Sequence, residues 1–367
     1  MDLLEIKFYE EKSYVNNPYS DGKIFKRILK YIVNNKEKQV RDIKISFIRM
    51  IAMFSIILCY FFQYYHLELA WWFNVGVQVF FVLSGWLYGG KKVDNFWKWF
   101  LKNTKKIIIP VYLYLIIFGF IFMKQINIVT MLKAFLLVSF PRGLGHLWFI
   151  SYILFSYLLT YYLQTFYEFA CSQKNTRYKN IFYKILLFIV IIQIIGIAYF
   201  KYFKIVWISC YIAGYFLRKL FIESRCIFKK VVFLLITLGL FLNMIQLYLQ
   251  YISKMFVFNN NLKFVEMCMN YNHALLGISI FFIFYNYIAR CLTDNKYLKR
   301  ILNWSDKYSF YIYIVHQFYI LGSVKFLELT RISIINVMFV LLLILMSGKC
   351  LFICCDKVRK IFSSQIY

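Results

Sequence analysis

Arginine, histidine and lysine are the residues of this chain whose placement could do chemistry, because so much of what surrounds them is apolar. Arg49 stands inside the apolar run 46–64. A guanidinium there marks either a functional group or a side chain that snorkels to the membrane surface. His146 lies in Gly145-His-Leu-Trp-Phe149 at the start of another run, and His316 in Tyr308-Ser-Phe-Tyr-Ile-Tyr313-Ile-Val-His316-Gln317 within a third. A histidine inside a span is a candidate proton carrier, and the plainer role for each is a structural hydrogen bond. Lys91, Lys92, Lys98, Lys102, Lys105 and Lys106 read as a basic loop ending at Pro110. By itself this is an ordinary cytoplasmic loop, with a charge density that also suits phosphate. The acids Glu68, Glu266 and Glu328 could bond sugar hydroxyls or could simply be solvated. The 9 cysteines contain no CxxC pair, so they read as buried free thiols, with neither a disulfide framework nor a metal site.

The elements that must position these groups are apolar helices. Hydrophobic residues make up 62% of the 367 and charged residues 16%, against about 45–50% and about 25% in an ordinary soluble domain. Soluble enzymes, secreted domains and disordered chains are excluded on that balance. A spanning helix needs about 20 apolar residues. Candidate spans are 46–64, 72–90, 107–124, 147–167, 181–199, 203–218, 231–250, 273–290, 308–326 and 333–354, while 128–140 is ambiguous between a re-entrant and an interfacial piece. The fold expected is all-α, a polytopic membrane protein with about ten transmembrane helices. It is divided into a basic segment 1–45, a membrane domain 46–354 and a tail 355–367. Within 1–45, Ile24, Phe25, Ile28, Leu29, Ile32 and Val33 recur at helical spacing between basic residues. They suit either an amphipathic helix on anionic lipid or a short solvated helix.

The net charge of +28 would suggest nucleic acid in a soluble protein. With both termini in the cytoplasm, 34 of the 44 Lys+Arg fall on the inner side and 9 on the outer. The charge is then a topology signal of a multi-pass cell-membrane protein, and no nucleic-acid partner is expected. No internal repeat or mid-membrane carboxylate supports a small-solute transporter.

Five segments, in order and spacing, resemble the acyltransferase 3 family of integral-membrane acyltransferases, especially members that serve surface polysaccharides. They are Phe47-Ile-Arg49-Met-Ile-Ala52, the run from Asn74 to Tyr88 (Asn-Val-Gly-Val-Gln-Val-Phe-Phe-Val-Leu-Ser-Gly-Trp-Leu-Tyr), Lys105-Lys-Ile-Ile-Ile-Pro110, Gly145-His-Leu-Trp-Phe149 and Tyr311-Ile-Tyr-Ile-Val-His316. The resemblance covers residues 46 to about 354. It implies a ten-span core and transfer of an acyl group, usually acetyl, from a cytoplasmic acyl-CoA to a glycan hydroxyl. Acetyl-CoA would be a cosubstrate, with no cofactor bound permanently. The partners would be membrane lipid and a glycan or lipid-linked glycan acceptor. By resemblance, Arg49 lines the acyl path and Lys102, Lys105 and Lys106 face CoA phosphates.

The family's hallmark is a first-span arginine followed eleven residues later by a histidine. Eleven residues turn about 20° past three full turns and rise about 16 Å, so the two side chains share a face. Here Arg49 is followed by Tyr60, and His66 lies off that face. The family's Arg-x-x-Arg before the proline is matched by Asn103 and Lys106, and a lysine lacks the bidentate fork of arginine. Neutral tyrosine is a poor general base near pH 7. Three readings follow. His146 or His316 supplies the base; Tyr60 only positions the acceptor; or the chain no longer catalyses and acts in glycan export or translocation.

Overall fold

The computed structural model describes residues 42–122, 127–141, 143–172, 205–252, 263–289, 295–322 and 324–364. These residues are helical, with no strand among them. In chain order the α-helices are α1 (Ile43–Tyr64), α2 (Leu69–Phe73), α3 (Val75–Gly89), α4 (Phe96–Phe122), α5 (Ile128–Phe135), α6 (Trp148–Ser172), α7 (Val206–Glu223), α8 (Arg225–Leu247), α9 (Lys263–Ile283), α10 (Lys296–Leu321) and α11 (Ser333–Ser364). The expected amphipathic stripe within 1–45 and the expected span 181–199 lie outside the described residues.

Six described stretches are long and apolar enough to cross a membrane: Ile43–Tyr64, Leu69–Gly89, Gly145–Glu168, Arg225–Gln250, Met267–Ile288 and Ser333–Ile361. They match six of the ten expected spans. The expected spans at 107–124, 203–218 and 308–326 fall on α4, α7 and α10, each of which carries charged residues along part of its length. The ambiguous 128–140 contains the 8-residue α5, whose first turn is capped by Asn127 accepting from Val129 N–H. At about 1.5 Å per residue it is too short to cross.

Lipid-facing surface is plain on α8, where Phe233, Leu234, Phe241 and Met244 are exposed. A water-facing surface would not carry such a row. The same outward faces account for the cysteines. The seven whose side chains are described are free, and Cys59, Cys210 and Cys355 are buried as expected, but Cys226, Cys268, Cys350 and Cys354 sit on exposed faces.

The tightest seam joins α3 to α7. A Cβ on Gly85 would strike the Tyr211 carbonyl oxygen, and one on Gly214 the Val82 carbonyl oxygen, so the two backbones meet directly. Beside this seam Trp86 is buried against Phe221, Phe228, Phe281, Phe282 and Tyr285.

The stretch containing Lys98–Lys106 is helix, not the loop that its charge suggested. Lysine is a good helix former, and α4 runs through Pro110. Proline has no N–H, so the carbonyl four residues back, that of Lys106, loses its helical donor. Arg359 Nη2 supplies the replacement at 3.3 Å. Arg359 can reach because α11 continues to Ser364, through most of the stretch read as a tail.

Candidate functional site

Helices α1 and α10 lie side by side and run in the same direction. At one level Arg49 of α1 forms an ion pair with Asp306 of α10. Eleven residues further along α1, Tyr60 packs on His316, ten residues further along α10, with ring centroids 4.8 Å apart. The two levels are separated by about 15–16 Å of helix.

The upper level gathers three residues singled out from the sequence. The His146 ring lies 4.7 Å from that of His316 and 6.3 Å from that of Tyr60. His146 arrives on a turn before α6 that depends on Gly143. Its φ of +86° is left-handed, and a Cβ there would press on Gly322 of the loop after α10. The His146 backbone N–H donates to Gln317 Oε1 at 2.9 Å, and Tyr313 O–H donates to the His146 carbonyl at 2.6 Å. Both imidazoles are buried.

Carbonyl oxygens only accept, and that assigns the protons. His316 Nδ1 lies 2.6 Å from the Tyr313 carbonyl oxygen, so Nδ1 carries the hydrogen. In the neutral ring Nε2 then holds the lone pair, and this buried atom has no hydrogen-bond partner among the described residues. The imidazole fixed in that tautomer presents an accepting lone pair at Nε2. His146 is arranged differently. Its Nε2 faces the Ile314 carbonyl oxygen at 3.0 Å and its Nδ1 faces Gln317 Oε1 at 2.8 Å. A neutral ring can donate to one of these acceptors and a protonated ring to both.

The lower level holds a partner that sequence reading missed. Asp306 lies before the apolar stretch of α10, outside the span assigned there, and its side chain is 9% exposed. Past it, toward the nearer end of the bundle, the basic residues gather. Lys102 and Lys105 are exposed along α4. Lys106 is held below the ordinary lysine range, first by partial desolvation and then by the charges of Lys102, Lys91 and Arg359. This cluster of cations would suit an anion. Asn103, at one of the altered motif positions, turns back to donate to the Trp99 carbonyl at 2.8 Å. Arg359 from α11 brings to this cluster the guanidinium that α4 lacks.

Two further residues went unremarked in the sequence. Gln78 Nε2 lies 3.1 Å from His273 Nδ1, and the His273 ring stacks on Trp71 with centroids 4.1 Å apart. Gln78 Oε1 and His273 Nε2 are buried without hydrogen-bond partners among the described residues. Whichever way the Gln78 amide is turned, the pair offers one donor and one acceptor. Of the acids singled out from the sequence, Glu328 accepts from Tyr64 O–H at 3.0 Å and pairs with Lys325 at 2.8 Å. Glu68 and His66 are exposed past the end of α1.

A family model described as an acyltransferase domain (Acyl_transf_3) matches residues 42–354. No curated protein and no solved structure matches the chain.

Proposed function

Because the chain belongs to the acyltransferase 3 family of membrane acyltransferases, we propose that it O-acetylates a cell-surface polysaccharide or its lipid-linked precursor, with acetyl-CoA as donor and His316 as general base. The observation that carries this is the unpartnered Nε2 of His316, its tautomer fixed by the Tyr313 carbonyl, beside the ring that replaces the hallmark histidine. His316 Nε2 takes the proton of the acceptor hydroxyl as that oxygen attacks the thioester carbonyl. The carbon–sulfur bond breaks, and CoA leaves as the thiolate, which takes back the proton held on His316 Nε2 to give the thiol and the neutral imidazole. His146, in ring contact with His316, is the second candidate proton carrier. Tyr60 positions the acceptor by its ring. At the lower level Lys102, Lys105 and Lys106, joined by Arg359, hold the CoA phosphates. Arg49, oriented by Asp306, lines the acyl path between the levels.

The proposed orientation puts the basic end and both termini in the cytoplasm. It is supported by the excess of Lys and Arg at that end of the sequence-derived topology. The test is the acetyl content of surface glycan, by mass spectrometry, in deleted and complemented cells. Acetyl lost on deletion and restored by complementation is the expected result.

A second reading rests on Tyr60, which stands where the family hallmark has histidine. On that reading the chain is an impaired member that serves glycan export or translocation. It predicts less polymer at the surface on deletion, with the acetyl content of the remaining polymer unchanged.

A further inference from the structure

The end of α7, the first turns of α8 and the turn after α9 border an open pocket of about 520 Å³, whose lining includes none of the residues of the two levels of the α1–α10 pair. Three of its lining residues, Arg225, Lys229 and Lys230, are cationic, and none is acidic. All three are exposed. Arg225 is held in place by its guanidinium, which lies 4.2 Å from the centre of the Phe221 ring. The floor is apolar, with Phe228 and Val232 each only 3% exposed.

Charge and floor together select the ligand. A small inorganic anion would be met by cations and water, and the apolar floor would contribute nothing to holding it. A neutral lipid would leave three cations unanswered. From the cavity, α8 continues as the lipid-facing row of Phe233, Leu234, Phe241 and Met244. An occupant whose head sits among the cations can therefore lay its chains along the same helix without leaving the bilayer. We propose that this cavity is a seat for an anionic glycerophospholipid, its phosphate held by Arg225, Lys229 and Lys230 and its acyl chains on α8. Each cation near an anionic headgroup is worth about fivefold in affinity, so losing all three should weaken binding by about 100-fold.

The test is native mass spectrometry of the full-length protein released from phosphatidylcholine nanodiscs containing phosphatidylglycerol. The wild-type protein is expected to retain phosphatidylglycerol and not phosphatidylcholine. The triple variant Arg225→Gln, Lys229→Gln, Lys230→Gln should lose it by about 100-fold in apparent affinity, with an unchanged melting temperature in neutral detergent. Asn286→Trp, which fills the cavity and keeps the charges, should lose it as well. A control variant at other exposed basic positions, Lys296→Gln with Arg300→Gln, should retain it. Equal loss in that control would reduce the effect to general surface charge and overturn the proposal. So would retention in Asn286→Trp, or displacement of the lipid by free CoA or inorganic phosphate.

Discussion

Tyr60 and His316 meet ring against ring, 4.8 Å between centroids and 66° between planes, at the level where the hallmark histidine would stand. The imidazole at this level stands on the neighbouring helix, and its Nε2 has no hydrogen-bond partner among the described residues. If this nitrogen is the base, His316→Ala lowers acetyl transfer by about 10²–10⁴-fold. Tyr60→Phe, which keeps the ring, retains most of the activity. Adding Tyr60→His to His316→Ala restores part of what was lost. Transfer measured in membrane vesicles, with melting temperatures alongside, separates these outcomes. Full activity in His316→Ala would remove the base from the scheme.

Asp306→Asn leaves the Arg49 guanidinium without its ion-pair carboxylate. Breaking a fully buried pair costs about 3–5 kcal/mol, and the cost here is smaller because Arg49 is 26% exposed. The variant should melt earlier in detergent, and Asp306→Glu should recover most of the difference. Equal melting of Asp306→Asn and the parent would show that the pair contributes nothing to stability.

Gly85→Val drives a branched side chain into the Tyr211 carbonyl, a backbone atom that cannot rotate away. Overpacking costs about 1–3 kcal/mol, and the upper end or beyond is expected at this seam. Gly145→Ala is the contrasting case, since its Cβ would meet only the Gln317 side chain at 3.7 Å. A paired thermal-shift measurement should find the first destabilised and the second close to wild type.

If Lys106 holds a CoA phosphate, it sets a pH limit on donor binding. Its charged form is disfavoured by partial desolvation and by Lys102, Lys91 and Arg359. It therefore sheds its proton at a lower pH than a free lysine does. As pH rises, the KM for acetyl-CoA should begin to climb before the ordinary lysine range is reached. Lys106→Arg, which stays charged, should flatten that climb. Identical KM profiles for the two proteins would place the CoA phosphates elsewhere.

Much of this was legible before the fold was known. Arg49, His146 and His316 stood out because polar groups in apolar runs are costly, and the family motifs supplied the expected Arg49–Tyr60 register. The meeting of His146 with His316 was not legible, because the His146 turn and α10 are 167 residues apart at the Tyr313–His146 bond and no local period joins them. Asp306 was missed because it precedes the apolar stretch of its helix, where an acid attracts no notice. Gln78 and His273 were missed because each is unremarkable alone and their meaning lies in the 3.1 Å between them. Lys98–Lys106 was read as loop on charge alone, although lysine favours helix.

The bond from Arg359 to the carbonyl that Pro110 leaves open makes the C-terminal end a splint for a helix some 250 residues away in the chain. A polypeptide stopped after Cys354, where the matched domain ends, would lose that splint along with the Arg359 cation of the basic cluster. Spin labels placed either side of Pro110 would then report a wider bend in α4. The last turns of the chain are thus a fastening for the mouth of the bundle.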